Sequence, residues 1–291
     1  MTSIAFITTC KSRLMHVQQT LPAIAAEAPD EVIFVDYGCP QQSGDWVQAH
    51  FAEANYPGVK VVRVDDDPGF CVARARNMGA AASASEWLCF IDADVIVTPG
   101  WVAWLRKNLQ PDAYWRASRL PTGKRDAQTW GTFLCPRAIF EKIGGYDDVF
   151  RGWGGEDADL YLRLGAHGIP EKNFPLEFVR AIEHGDSLRM LHDDLKDKRL
   201  HWAVITAYRD IKLYTSNPSD KSQMLPRETR QSIWDEIVRR VRLLDANPQT
   251  KLRPFKIDLQ RDKPLTAEHR LRTKASYVFE IALGATGRLD E

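Results

Sequence analysis

Short apolar runs alternate with amphipathic stretches along the first hundred residues. From Ser3 to Thr9 the chain is apolar and β-branched, and after Lys11-Ser12-Arg13 apolar residues recur at Leu14, Val17, Leu21 and Ile24. A short run closed by polar residues predicts a strand, and recurrence at helical spacing predicts a helix. The order repeats: Glu31 to Val35 is strand-like and ends in Asp36-Tyr37-Gly38, and Trp46, Val47 and Phe51 suggest a helix. Val59 to Val64 is a third strand, Phe70 to Ala84 an Ala-rich helix and Trp87 to Ile91 a fourth strand. A helix beginning near Pro99 follows, proline being favoured in a first turn. This alternation predicts an α/β fold with a mostly parallel sheet covered on both faces. In such sheets the ligand crevice lies at the carboxyl ends of the strands, where Lys11, Arg13, Asp36, Asp92 and Asp94 all fall.

Beyond Pro111 the alternation breaks. Strand-like segments run near Ala113 to Ser118 and Thr129 to Cys135, with a short helix from Pro136 to Ile143. Gly144-Gly145 punctuates the chain, Arg151 to Gly155 is a glycine-rich loop, and Glu156 to Leu164 has helical spacing. Phe178 to Ile182 reads as a last strand, ending in Glu183-His184-Gly185. Long helices are expected over Leu188 to Tyr214 and Glu228 to Leu244, with a charged, Pro-containing stretch after Asn247. The expected organisation is an α/β domain over 1–186 and an α-helical C-terminal extension over 187–291, without internal repeats. The extension could dock a partner, a second copy or a membrane surface.

With 44% hydrophobic residues in 291, the chain can bury a substantial core. Formal net charge is zero, which removes the simplest argument for a nucleic-acid partner. Five cysteines, Cys10, Cys39, Cys71, Cys89 and Cys135, are scattered without CxxC spacing, as expected of reduced thiols in a reducing compartment. No window approaches the ~18 consecutive apolar residues of a membrane span. Met1 passes straight into a strand-like segment without signal-peptide character, and a cytoplasmic location is the expectation.

Asp92 and Asp94 close the fourth strand. On an extended backbone, side chains two apart point to one side, so the pair could share a pocket, and a divalent metal bound to phosphate oxygens would relieve their repulsion. A turn that uses aspartates is the plainer alternative. Lys11 and Arg13 flank a strand-to-helix turn suited to a diphosphate, or are solvated charges at a helix start. Asp36 suits a base or ribose contact, or a turn. On position alone, Arg74 and Arg76 read as surface charges of a helix that must show a polar face. Gly154 and Gly155 can turn a loop that carries Trp153 over a ligand. Glu156 and Asp157 then open a helix, where acids complement the helix dipole. Asp157 shares its face with Leu160, Tyr161 and Leu164, so it lies at the lip of a core, where a raised pKa would suit a general base. Asp159 reads as half of an exposed pair with Arg163. His184 is a candidate metal ligand or a plain strand-end histidine, and His167, His192 and His201 show no shared spacing.

In order and spacing these residues resemble glycosyltransferases of the GT-A fold, especially β-1,4-galactosyltransferases and bacterial chondroitin-type polymerases. Thr9-Cys10-Lys11-Ser12-Arg13 sits where the galactosyltransferases have a Pro-Phe-Arg-Asn-Arg turn. Val35-Asp36-Tyr37-Gly38 and Ala75-Arg76-Asn77-Met78-Gly79 look like uridine-binding and helix motifs of inverting transferases. Asp92-Ala93-Asp94 matches the DxD motif, and Gly144-Gly145-Tyr146 through Gly152-Trp153-Gly154-Gly155-Glu156-Asp157-Ala158-Asp159 is similar to GGF…GWGGEDDD. His184 lies where those enzymes place a histidine metal ligand.

The resemblance covers about Ser3 to Asp186 and implies a GT-A, Rossmann-like mixed sheet flanked by helices. It implies Asp94 and His184 as ligands of Mn2+ or Mg2+, and Asp157 as catalytic base. Donor contacts fall to Thr9, Lys11, Arg13, Asp36, Arg76, Asp92, Ala93 and Trp153, and acceptor contacts to Trp153, Glu156 and Asp157. Two departures stand out: Ala181 replaces the family's methionine ligand, and Ala158 replaces an acid that helps bind the acceptor sugar. The expected function is an inverting, metal-dependent transfer from a UDP-sugar to a hydroxyl of a glycan or other acceptor. Alternatives are a retaining transferase of the polypeptide GalNAc-transferase type and a catalytically silent carbohydrate-binding relative, with a nucleotidyltransferase behind them.

Overall fold

A computed structural model describes residues 2–53, 58–152, 154–183, 185, 191–193, 195–216 and 224–282. The chain divides into two compact units, 1–194 and 195–291.

In the first unit the opening alternation is β1 (Ile4–Cys10), α1 (Leu14–Ala26), β2 (Glu31–Asp36), α2 (Ser43–Glu53), β3 (Val59–Arg63), α3 (Val72–Ala82) and β4 (Trp87–Phe90). There follow β5 (Val95–Val97), α4 (Trp101–Asn108), β6 (Tyr114–Ala117), β7 (Phe133–Pro136), α5 (Arg137–Lys142), α6 (Glu156–Ala166), β8 (Glu171–Phe174) and β9 (Val179–Ala181). Among the described residues, seven strands form one sheet in the order β3-β2-β1-β4-β7-β6-β8. β1 to β4 pair in parallel, while β7 runs antiparallel to both β4 and β6. The sheet is therefore mixed, with its parallel half built from the alternating segment.

Burial on both faces follows from the period of two. Phe6, Val32, Phe34 and Cys89 pack on one side with Trp101 and Leu134. Ile7, Ile33, Val35 and Phe90 pack on the other with Tyr146 and Leu160. A Cβ on Gly79 of α3 would collide with Ile7 and approach Val35 to 3.1 Å, so the small residues of this helix let it lie close on the sheet. Asn77, two residues earlier, receives the Tyr146 amide on Oδ1 and donates to the Tyr146 carbonyl, both at 2.9 Å. That bridge ties α3 to the Gly144-Gly145 turn, whose glycines have φ of 79° and 66°.

The second unit contains α7 (Lys198–Thr215), α8 (Arg227–Ala246), β10 (Phe255–Pro264) and β11 (Arg270–Phe279). Tyr208 meets Trp234 edge to face at 5.2 Å, with Ile205, Ile233 and Ile237 buried. The charged stretch beyond Asn247, expected as part of an α-helical extension, instead forms an antiparallel ribbon of β10 and β11. It is largely exposed, with Ile257 and Leu259 as its buried residues on β10, so it leaves little hydrophobic trace in sequence. Among the described residues no helix is long and apolar enough to cross a membrane.

Candidate active site

Parallel pairing brings Cys10 level with Asp36, so the turns after β1 and β2 lie side by side. Ser12 takes the left-handed region at φ 58°, reversing the chain between its two basic neighbours. Lys11 Nζ donates to the carbonyls of Pro68 and Gly69 at 3.1 and 2.7 Å. Arg13 Nη1 lies 2.8 Å from Asp94 Oδ2. Asp36 accepts the amides of Cys39 and Gly44 at 2.9 and 3.0 Å and pairs with Arg63. Its burial raises the pKa while those amides oppose the rise, and the carboxylate serves the turn into α2. Thr9 is buried on the same edge. All five cysteines are free and buried. Cys39 Sγ accepts the Ser12 amide at 3.2 Å, and the hydrogen bond it receives from Cys10 brings its pKa down to about 4.

Asp92-Ala93-Asp94 departs from the extended geometry expected for it. β4 ends at Phe90, and the Val95 amide donates to the Asp92 carbonyl at 3.0 Å, closing a turn. The two carboxylates consequently reach different arginines: Asp94 goes to Arg13 and Asp92 to Arg76, at 2.8 and 2.7 Å. The Asp94 carbonyl receives the Ile182 amide at 2.7 Å, and β5 pairs antiparallel with β9, drawing the last strand of the unit to this turn.

Arg76 is the centre of the site, contrary to its reading as a surface charge. It is 3% exposed and lies over the Tyr146 ring, 5.0 Å from its centroid. Nη2 donates to Asp92 Oδ1 at 2.7 Å, and Nη1 to Asp157 Oδ1 at 2.7 Å and Glu156 Oε1 at 3.2 Å. Burial disfavours the guanidinium charge, but the surrounding carboxylates outweigh it and raise the pKa well above its ordinary value. Glycine φ values of 78°, 88° and 93° at Gly152, Gly154 and Gly155 turn the chain into α6, delivering Glu156 and Asp157 to Arg76. Leu160, Tyr161 and Leu164 are buried, as the helical face of Asp157 requires.

Burial and the charge of Asp157 push the Glu156 carboxyl up to about 8, and its buried Oε2 has no hydrogen-bond partner. Burial also raises Asp92, helped by Asp94 and Asp157 and opposed by Arg76, although 32% of its side chain remains exposed. With Glu156 protonated, two carboxylates still face one guanidinium, so the cluster is electronegative. The Asp159–Arg163 pair forms at 2.8 Å as expected, but both residues are buried rather than exposed. Arg163 also donates to the Ile143 carbonyl, which makes the pair an anchor of α6.

Trp153 and His184 lie outside the described residues. His192, whose spacing suggests no shared site, places Nε2 3.0 Å from Ser12 Oγ, in the residue beside Arg13. Among the described residues no group of three metal-ligating side chains is gathered. The donor nearest to hand is Asp94, a hard carboxylate beside an electronegative cluster. Magnesium-like ions are commonly held by one or two carboxylates together with substrate phosphates, so this edge fits such an ion.

Residues 6–144 match the model of Glycosyl transferase family 2, and residues 116–187 match that of the N-terminal domain of galactosyltransferase. Validoxylamine A glucosyltransferase of Streptomyces hygroscopicus subsp. limoneus is 28% identical over 53% of this chain and 46% of its own. Beta-1,4-galactosyltransferase 4 of Homo sapiens is 31% identical over 37% of this chain and 33% of its own. The chain thus spans less than half the length of the curated relatives it matches. In fold it is similar to the mannosyltransferase PcManGT from Pyrobaculum calidifontis, solved with GDP-Man and Mn2+. That likeness has a TM-score of 0.52 at 15% identity and covers 86% of this chain and 76% of the other. Both family models and these relatives are those of glycosyltransferases, and the fold is similar to that of a GT-A glycosyltransferase.

Proposed function

We propose that the protein moves a sugar from a UDP-sugar to an acceptor hydroxyl with inversion, with Asp157 as general base. The observation that carries this reading is the convergence of Asp92, Glu156 and Asp157 on Arg76 beside the Lys11–Arg13 turn. Asp157 takes the proton of the acceptor hydroxyl as its oxygen bonds to the anomeric carbon. The bond from that carbon to the diphosphate breaks on the opposite side, and the electron pair leaves with UDP. Arg76 fixes Asp157 through Oδ1, leaving Oδ2 toward Gly131. Lys11 and Arg13 bind the diphosphate, Thr9 and Asp36 line the nucleoside end, and Asp92 and Ala93 face the ribose. Trp153 covers the donor or stacks on a sugar, and Glu156 contacts the acceptor.

Asp94 and His184 would hold Mn2+ or Mg2+, which when bound offsets charge on the departing diphosphate. His192 is a second candidate for that shell, because it reaches Ser12 next to the arginine that pairs with Asp94. Manganese titration of His184→Ala and His192→Ala separates the two. The reading as a whole is tested by screening nucleotide sugars for manganese-dependent transfer or slow hydrolysis, with Asp157→Asn as control. Activity that disappears in the variant while UDP still binds supports it, and full activity in Asp157→Asn contradicts it. NMR of the product's anomeric configuration tests inversion.

A further inference from the structure

Either side of Gly131 in sequence, Trp130 and Thr132 line a pocket together with Arg116, Arg125, Asp126 and Thr129. Its chemistry is the reverse of the site just described. The guanidinium of Arg116 is sandwiched by two rings, 3.7 Å from the Tyr161 centroid and 4.3 Å from that of Trp130. It is 5% exposed, and its Nη2 is buried with no hydrogen-bond partner. Its Nη1 reaches Glu171 Oε2 only at 3.4 Å. Arg125 pairs with Oε1 of the same Glu171 and donates to the Ala117 carbonyl and to Asn173. Thr132, 1% exposed, has an unpartnered hydroxyl. Asp126 is turned to the Gln128 amide at 2.9 Å.

Two guanidiniums therefore share one carboxylate. Burial, then the charge of Arg116, push the Arg125 pKa down against the pull of Glu171, with Arg119 adding to the fall. With Arg119 adding its charge, three guanidiniums face the carboxylates of Glu171 and Asp126, so the local balance is positive, and Arg116 Nη2 and the Thr132 hydroxyl lack acceptors. An unpaired buried donor is costly, and a guanidinium suits a carboxylate or a phosphate as its partner.

We propose that this pocket binds an anionic group, carboxylate or phosphate, carried by the acceptor. The assignment to the acceptor rests on the transferase reading above. A Cβ at Gly131 would lie 3.2 Å from Asp157 Oδ2, and Tyr161 on α6 donates to the Trp130 carbonyl at 2.9 Å. The anion pocket and the oxygen proposed to accept the proton thus flank one short loop. An acceptor sugar bearing an acid could seat its charge on Arg116 and Arg125 while presenting a hydroxyl to Asp157.

The test uses the full chain with UDP and Mn2+ present, and NMR titration of three probes: methyl β-D-glucuronide, its neutral amide analogue methyl β-D-glucuronamide, and methyl β-D-glucoside 6-phosphate. At least one charged probe should bind about tenfold more tightly than the amide, the scale of one charge-assisted hydrogen bond, and the tighter of the two assigns carboxylate or phosphate. Added salt should erode that preference. Arg125→Gln should bring it within about twofold and Arg125→Lys should restore part of it, with UDP binding unchanged in both. Equal binding of the amide and both charged probes to the wild-type protein overturns the anion pocket and leaves the transferase reading standing. Failure of UDP to bind the wild-type protein strikes the transferase reading, while the charge preference is read independently of it.

Discussion

Two arginines sit on either side of the Thr129–Thr132 loop, and their surroundings have opposite charge balance. Arg76 is outnumbered, with Asp92, Glu156 and Asp157 around one guanidinium. Arg116 is under-supplied, sharing Glu171 with Arg125 and keeping one buried nitrogen unpaired. Both arginines are buried and both lie against aromatic rings, so burial alone does not separate them. The difference lies in what each can still accept. The first cluster has excess negative charge and favours a cation or a proton to be taken up; the second has excess positive charge and favours an anion. The first property suits the hydroxyl deprotonation proposed for Asp157. The second suits the anionic acceptor group proposed above.

The largest effect should come from removing the hub of the acidic cluster. Arg76→Met leaves buried carboxylates without their cation and should cost about 3–5 kcal/mol of stability, the range seen when one partner of a buried pair is removed. Denaturant unfolding measures this, and a loss below 1 kcal/mol by that method, smaller than about one tenfold step in the folding equilibrium, would show that the cluster is not held by Arg76. Next, Asp157→Asn should lower transfer about 10²–10⁴-fold, the usual contribution of a general base, with UDP binding retained. Gly131→Ala follows, because the new Cβ would lie 2.7 Å from both Arg76 Nη2 and Asp92 Oδ2. The expected cost is about 1–3 kcal/mol, with transfer reduced as the cluster shifts.

A subtler change is predicted for pH. The Glu156 carboxyl titrates near 8 in the fold against 4.5 ordinarily. Between those values the folded state holds a proton that the unfolded state has released, so stability falls as pH rises. Glu156→Gln should flatten the decline between about 4.5 and about 8, read as melting temperature against pH. An unchanged profile would mean that Glu156 is ionised in the fold. The smallest effect belongs to Arg74→Ala. Arg74 sits two residues before Arg76 on the same helix, but its close partner Asp66 is 69% exposed and its contacts to Asp67 and Tyr37 are long, at 3.9 and 3.5 Å, so the melting temperature should barely move.

The parallel half of the sheet was legible because its strands are buried on both faces and stand out as apolar runs, and its carboxyl edge followed from the alternation. The DxD and WGGED motifs were legible as short, dense signals. The role of Arg76 was not, because helical periodicity shows only that a polar residue interrupts an Ala-rich helix. Its partners Asp92, Glu156 and Asp157 are 16, 80 and 81 residues away, and the Gly152–Gly155 turn that brings two of them back has no periodicity. The same gap explains Asp159 and Arg163: their spacing predicted the pair, but nothing local reported the Ile143 carbonyl that buries it. Arg116 and Arg125 lie nine residues apart in a segment that reads as an ordinary strand and polar loop. Their common partner, Glu171, comes from β8, which β6 meets in parallel.

A nucleotide diphosphate is proposed to bind at the Asp94–Arg13 edge with a divalent ion, and calorimetry of UDP with and without Mn2+ tests this most directly. Wild-type protein should bind UDP with a manganese-dependent increase in affinity, and Asp94→Ala should lose that increase while staying folded. An identical manganese-dependent titration in the variant, or none in the wild type, would contradict the account.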